Sequence, residues 1–290
     1  MQSGLRSLNK AVHTLYRKVW GHKLEDIFQA VPGRGDYRYL TTQKIHDLGL
    51  RTLFYEANVL LVRKEFEISY EELEKYKAGP YESDGVVVTG QPGIGLHLSP
   101  TTDSFTNNHY FHNLGKTCFL YYLLFRLLCE EKTVAFQLNN HFVIFQKTGV
   151  EFAPNSSGFE DAGSVIPHGT WALTESRDNY ARPCNAFVAA SSLNGAWVVQ
   201  TTSPSSNNWR HWHKYLYAYI YWMDLISFDE LTVLGYVQHH SEYLHLYAEL
   251  FVVQYSISTS NVYKTITIYG ALTRAPAWQI MNNLRIMNCL

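Results

Sequence analysis

The feature that most constrains this chain is a β-branched run, Gly85-Val86-Val87-Val88-Thr89, that leads into a glycine turn, Gly90-Gln91-Pro92-Gly93-Ile94-Gly95. The run predicts a buried strand. Gly115-Lys116-Thr117 stands further on and opens the strongly apolar stretch Cys118 to Leu128. That stretch is apolar all round and too short to span a bilayer, so it predicts a buried helix. With residues 96–115 removed, the text reads GQPGIGKT, a full match to G-x-x-x-x-G-K-[ST]. Strand before and helix after are the context that motif requires.

The residue types follow from the chemistry of holding a phosphate. Glycines at 90, 93 and 95 let successive backbone N–H groups turn inward around an anion. The helix that follows adds its free N-terminal amides and the positive end of its dipole. Lys116 would reach the β- and γ-phosphates of a nucleotide, and the Thr117 hydroxyl would ligate Mg²⁺. These groups must converge within a few ångströms, which makes the interruption by residues 96–115 the central puzzle. The segment holds His97, His109, His112, Asn107, Asn108, Asn113 and a single acid, Asp103, with no regular period. Two readings compete. It is a foreign segment, such as a retained intron translated in frame, or it is a surface insertion that bulges out while Gly115 replaces Gly95 as the last loop glycine. A long insertion costs little in closure entropy, although Gly90 and Gly93 would then have to be re-aimed.

Composition bounds the rest. A chain of 290 residues with 46% hydrophobic content can bury a substantial core. Its formal net charge of −1 gives no electrostatic case for nucleic acid or for an anionic membrane. Cys118, Cys129, Cys184 and Cys289 have no metal-ligand spacing and read as free thiols of an intracellular protein. The first twenty residues lack the apolar stretch of a secretory signal. The expectation is an intracellular protein of cytoplasm or nucleus.

In chain order, residues 4–20 predict an amphipathic helix with Leu5, Leu8, Val12, Leu15 and Val19 on one face. Residues 32–36 predict a turn, and helical patterns run over 41–49, 51–64 and 65–77. Ala78-Gly79-Pro80 marks a boundary between a mostly helical N-terminal extension, 1–79, and the domain over 80–290. Strands are predicted at 132–138 and 141–145, joined by the hairpin signal Asn139-Asn140, with a polar loop over 151–169. Thr170 to Thr174 predicts a core strand ending at Glu175-Ser176. An acid at the carboxyl end of an apolar strand is where a phosphate-loop enzyme keeps the carboxylate that holds Mg²⁺ or orients water. Here that acid is Glu175, with Asp178 nearby. Residues 196–204 predict the next strand, whose polar end offers Thr202 and Ser203 toward a γ-phosphate, and 218–223 predicts another. Ser227 with Glu230 is a capping box opening a helix. Residues 236–255 fit neither neighbour and suggest a second insert, and Arg274 in the tail reads first as a surface arginine and second as a nucleotide contact.

Taken together, GQPGIG plus KTCFLYYLLFRLL, then TWALTES, VVQTTSP with WRHW behind it, and YWMDLISFDEL resemble a P-loop NTPase family found in fungi. That family is related to retrotransposon-hot-spot proteins and to the ATPase part of Crinkler-type effectors. The resemblance covers about 50–235 and resumes near 256–275. It implies a three-layer αβα fold of the additional-strand (ASCE-like) type, with ATP and Mg²⁺ as cofactors and a nucleotide as partner. Gly90, Gly93, Gly95, Gly115, Lys116 and Thr117 carry over as phosphate and Mg²⁺ groups, and Glu175 as the strand-end acid. Three departures stand out: the split loop, Glu where Asp is usual, and no second acid directly beside it. The implied reaction is attack of water on the γ-phosphate, with Lys116 stabilising charge and Glu175 positioning Mg²⁺ or water. Nucleotide-dependent homo-oligomerisation would accord with it. The alternative is an interaction or effector module that keeps the fold without turnover.

Overall fold

The computed structural model describes residues 2–50, 59–79, 83–90, 116–155, 165–176, 182–202, 209–224 and 226–237. The chain divides into two compact units, Met1–Leu225 and Ile226–Leu290.

In the first unit the elements run α1 (Gln2–Val19), α2 (Leu24–Ile27), β1 (Gln29–Val31), β2 (Arg34–Leu40), α3 (Thr42–Asp47), β3 (Leu60–Val62) and α4 (Lys64–Ala78). There follow β4 (Gly85–Gly90), α5 (Lys116–Cys129), β5 (Val134–Gln137), β6 (His141–Gln146), β7 (Gly149–Pro154) and β8 (Trp171–Glu175). The unit continues with α6 (Asn185–Asn194), β9 (Trp197–Thr201), α7 (Arg210–Tyr215) and β10 (Tyr219–Met223). Seven strands form one mixed sheet in the order β10-β4-β9-β8-β5-β6-β7. From β10 to β5 the neighbours are parallel, and β6 and β7 add on antiparallel. β1, β2 and β3 make a separate antiparallel sheet.

Strand periodicity sorts the core into two faces. Val86 and Val88 of β4, Leu173 of β8 and Val199 of β9 join a cluster with Val12 and Leu15 of α1, Phe66 and Leu73 of α4, and the apolar residues of α5. Val87, Ala172 and Val198, one residue out of step, join a second cluster with Phe187 and Ala190 of α6 and Trp212 of α7. The sheet is thus covered by helices on both sides, which is why β4 and β9 read as unbroken apolar runs. α5 is buried along almost its whole length because the sheet lies on one side of it and α1, α2 and α4 on the other. Gly85 is required where β4 begins, since a Cβ there would run into the Val198 carbonyl oxygen.

Several expectations are met within a residue or two: α1, α3, α4, β4, α5, the β5–β6 hairpin, β8 and β10, while β9 is present but ends at Thr201 rather than running to 204. Three are corrected. The helical pattern over 51–64 gives way at its end to strand β3, because Leu60-Leu61-Val62 pairs with β2 and all three side chains are buried. The turn over 32–36 tightens to Pro32-Gly33, where Gly33 takes φ +71°, and Arg34 to Asp36 already belong to β2. The loop over 151–169 begins as the edge strand β7, whose outer face is solvated. Cys118, Cys129 and Cys184 are free thiols. No helix among the described residues is long and apolar enough to cross a membrane.

In the second unit, α8 (Phe228–Val237) is capped reciprocally. The Glu230 amide donates to Ser227 Oγ at 3.2 Å, and the Ser227 amide donates to Glu230 Oε2 at 2.8 Å. Residues 238–255 and Arg274, and with them most of the second suggested insert, lie outside the described residues.

Candidate functional site

Parallel pairing sets the carboxyl ends of β10, β4, β9 and β8 side by side. Met223 pairs with Gly90, Val88 with Thr201, and Thr201 with Glu175. Ladder-type bonds continue one step beyond the strands. The Thr202 amide donates to the Val88 carbonyl at 3.0 Å, and the Ser176 amide donates to the Thr201 carbonyl at 2.8 Å. The chain leaves β4 for α5 on one face of the sheet, and leaves its neighbour β9 for α7 on the other. Ligands of open α/β sheets gather at such a reversal, outside the carboxyl ends of the strands.

The sequence-derived residues that fall within the described part meet at this edge. Lys116 and Thr117 open α5, and Thr117 Oγ1 donates a short hydrogen bond to Glu175 Oε1 at the end of β8. The two residues are 58 positions apart in sequence, so only the pairing of α5 with β8 brings them together. Lys116 is half-buried, and burial holds its pKa below the usual lysine range. Among the described residues its ammonium has no hydrogen bond or ion pair. A partly desolvated cation at a helix N-terminus is chemically suited to an anion.

The electrostatics extend to Cys118, in the same first turn. Its thiol is pushed up to about 12, first by burial and then by the Glu175 carboxylate, with the Arg63 guanidinium pulling the other way. It is therefore an inert, packed thiol rather than a nucleophile. Arg63 reaches this edge from the residue before α4, donating to the Asp224 carbonyl at 3.1 Å just beyond β10. Thr89 Oγ1 donates to the Thr202 carbonyl at 3.3 Å, which ties β4 to β9 at the reversal. The Thr201 and Thr202 hydroxyls are both buried with no hydrogen-bond partner among the described residues. Such buried polar groups are uncommon and mark a place where polar atoms of a ligand or water are expected.

Gly90 ends β4 at this edge. Gly93, Gly95 and Gly115, the segment 96–115, and the candidates Asp178 and Ser203 lie outside the described residues. Two residues here were not singled out from sequence. Thr201 reads as an ordinary residue of the strand that opens with Trp197-Val198-Val199, although its place beside Thr202 hinted at it. Arg63 closes the apolar run Val59 to Val62 together with Lys64, but nothing local ties it to a site whose other residues come much later in the chain.

Comparison of the chain with protein-family models, with curated proteins and with solved structures gave no match.

Proposed function

We propose that this chain is a nucleotide-binding domain of the P-loop NTPase type that binds ATP with Mg²⁺ and hydrolyses it. The observation that carries the reading is the contact between Thr117 and Glu175 beside the unpaired Lys116, at the carboxyl ends of parallel strands. Strand order supports it as well. β9 lies between β4, which leads to the loop, and β8, which carries the acid, as the additional-strand arrangement demands. The resemblance to the fungal family related to retrotransposon-hot-spot and Crinkler-type ATPases belongs to the same proposal.

The donor set fits Mg²⁺. A hydroxyl and a carboxylate in contact supply only hard oxygen ligands, the kind that ion takes. Thr117 and Glu175 would hold it, and its charge would neutralise the phosphates. The chain's own groups do the rest. Lys116 offers a fixed, partly desolvated positive charge to the β- and γ-phosphates, and Glu175 orients a water. The buried hydroxyls of Thr201 and Thr202 stand at the reversal between β4 and β9, where a γ-phosphate oxygen would find donors.

The effect of Glu175→Gln follows. The amide oxygen can still accept from Thr117, so folding persists, while phosphate release drops by about 10²-fold because the charge that positions Mg²⁺ or water is gone. Phosphate release equal to that of the parent would remove Glu175 from the reaction.

The interruption over 96–115 favours a second reading, a binding module without turnover. Calorimetry of Mg²⁺-ATP binding together with phosphate release separates the two, run on the full chain and on a variant lacking 96–115. Binding and release by both variants mean that the segment is a tolerated surface loop. Binding by the deletion variant alone means that the segment breaks the site. Binding without release by either favours the module, and no binding by either sinks the nucleotide reading.

A further inference from the structure

At the other end of the sheet a recess of about 430 Å³ opens at the amino ends of β5 and β8. Its walls include Glu74 and Lys77 of α4, Lys132 and Thr133 before β5, and His168 and Trp171 at the start of β8. Trp171 and Glu175 bound the same strand, so the recess is about 13 Å from the carboxyl edge at the usual rise per residue. Its volume lies within the range of small-molecule sites.

The two lysines differ in what they have to give. Lys132 is fully committed, with hydrogen bonds to Tyr70 Oη (2.8 Å) and Glu74 Oε1 (2.8 Å) and an ion pair to Glu130 Oε2 (2.9 Å). That network explains how α4 is fastened to the turn after α5, and it needs no ligand. Lys77 is different. Its ammonium donates once, to the Gly169 carbonyl at 3.0 Å, and lies 4.4 Å from the centre of the Trp171 ring. Among the described residues no carboxylate pairs with it. An ammonium has three donors; one goes to the Gly169 carbonyl and the Trp171 ring takes part of the remainder, which leaves donor capacity at the wall of an open recess. A cationic ligand would meet both lysines, and an apolar one would desolvate Lys77 without compensation. An oxyanion satisfies it.

We infer that this recess is a second ligand site, separate from the nucleotide edge, which takes a small molecule through a phosphate or carboxylate group seated on Lys77. Thr133 and His168 line the same wall and offer further polar contacts. The site has a built-in pH signature. Burial brings the Lys77 pKa down to about 8, with Lys132 adding to the effect and Glu74 opposing it. Lys132, although burial pulls it down, is kept above its ordinary range by hydrogen bonds to Glu74, Tyr70 and Glu130. Tyr70 is raised by burial and then by Glu130, and Glu130 is lowered overall by Tyr70 and Lys132 although burial opposes. An anion on Lys77 favours the protonated form, so binding takes up a proton near pH 8 and weakens as pH rises through it.

The test uses the full chain with ¹³Cε-labelled lysine, titrated with inorganic phosphate in one arm and succinate in the other. In the anion's presence the Lys77 resonance should titrate at least one pH unit higher, saturably, and equally so in Lys116→Met, which separates this site from the nucleotide edge. The arm that produces the shift identifies the head group. By calorimetry, Lys77→Met should weaken binding at least tenfold at pH 7 while Lys77→Arg retains it. A Lys77 titration unmoved by either anion, or equal affinity in parent and Lys77→Met, overturns the proposal. Should Lys77→Met fail to fold, the resonance and Lys77→Arg still decide.

Discussion

Lys116→Met should lower Mg²⁺-dependent phosphate release by about 10²–10³-fold, the usual cost of removing one preorganised charged or donor group at a phosphoryl centre. The side chain is already half-buried and its charge partly desolvated, so the fold has accepted a penalty that only an anion offsets. Methionine has a similar length and no charge. It should therefore leave the thermal midpoint unchanged or slightly higher, since folding no longer strips water from an ammonium. Loss of function without loss of stability is the signature of a group held ready for a ligand. Single-turnover phosphate release and a thermal melt of the same preparation measure both. A variant that hydrolyses ATP like the parent would remove Lys116 from the site, and one that melts far lower would make it a packing residue.

The legibility of this site in the sequence was uneven for physical reasons. Thr117 and Lys116 were singled out because the motif G-x-x-x-x-G-K-[ST] calls for those types at a strand–loop–helix junction, and the strand and helix are there. Glu175 was readable because an acid ending an apolar strand is out of place unless it has work to do or water to face, and in the fold it meets Thr117 directly. Thr201 hides inside β9, where a threonine is an ordinary strand residue, and only the missing partner of its buried hydroxyl sets it apart. Arg63 and the Lys77 recess depend on contacts between residues far apart in the chain, which local patterns do not encode. The central strands were legible because burial on both faces leaves continuous apolar runs, as in Val86-Val87-Val88. β3 was misread because three apolar residues match either period, and β7 because an edge strand exposes half of its side chains.

Phe66→Ala should cost about 3–5 kcal/mol, as deletion of a buried aromatic ring does. The ring is fully buried in α4, with its centre 5.6 Å from that of Phe119 and 5.7 Å from that of Tyr122, both on α5. The Arg63 guanidinium lies 5.6 Å from the same ring, so the cavity also removes a partner from the arginine that reaches Asp224. Domains of this kind are stable by about 5–15 kcal/mol, and such a loss is a large fraction of the whole. The transition bears on organisation too. Residues before the boundary suggested at Ala78-Gly79-Pro80 share one apolar cluster with α5 and the sheet, so far-UV and near-UV circular dichroism should report one shifted transition in urea, not two. An early, separate loss of helix with the rest unmoved would instead make residues 1–79 an independent appendage. Because Phe119 follows Thr117 by only half a turn, the same cavity loosens the first turn of α5. Nucleotide affinity of the variant should therefore fall even under conditions where it remains folded.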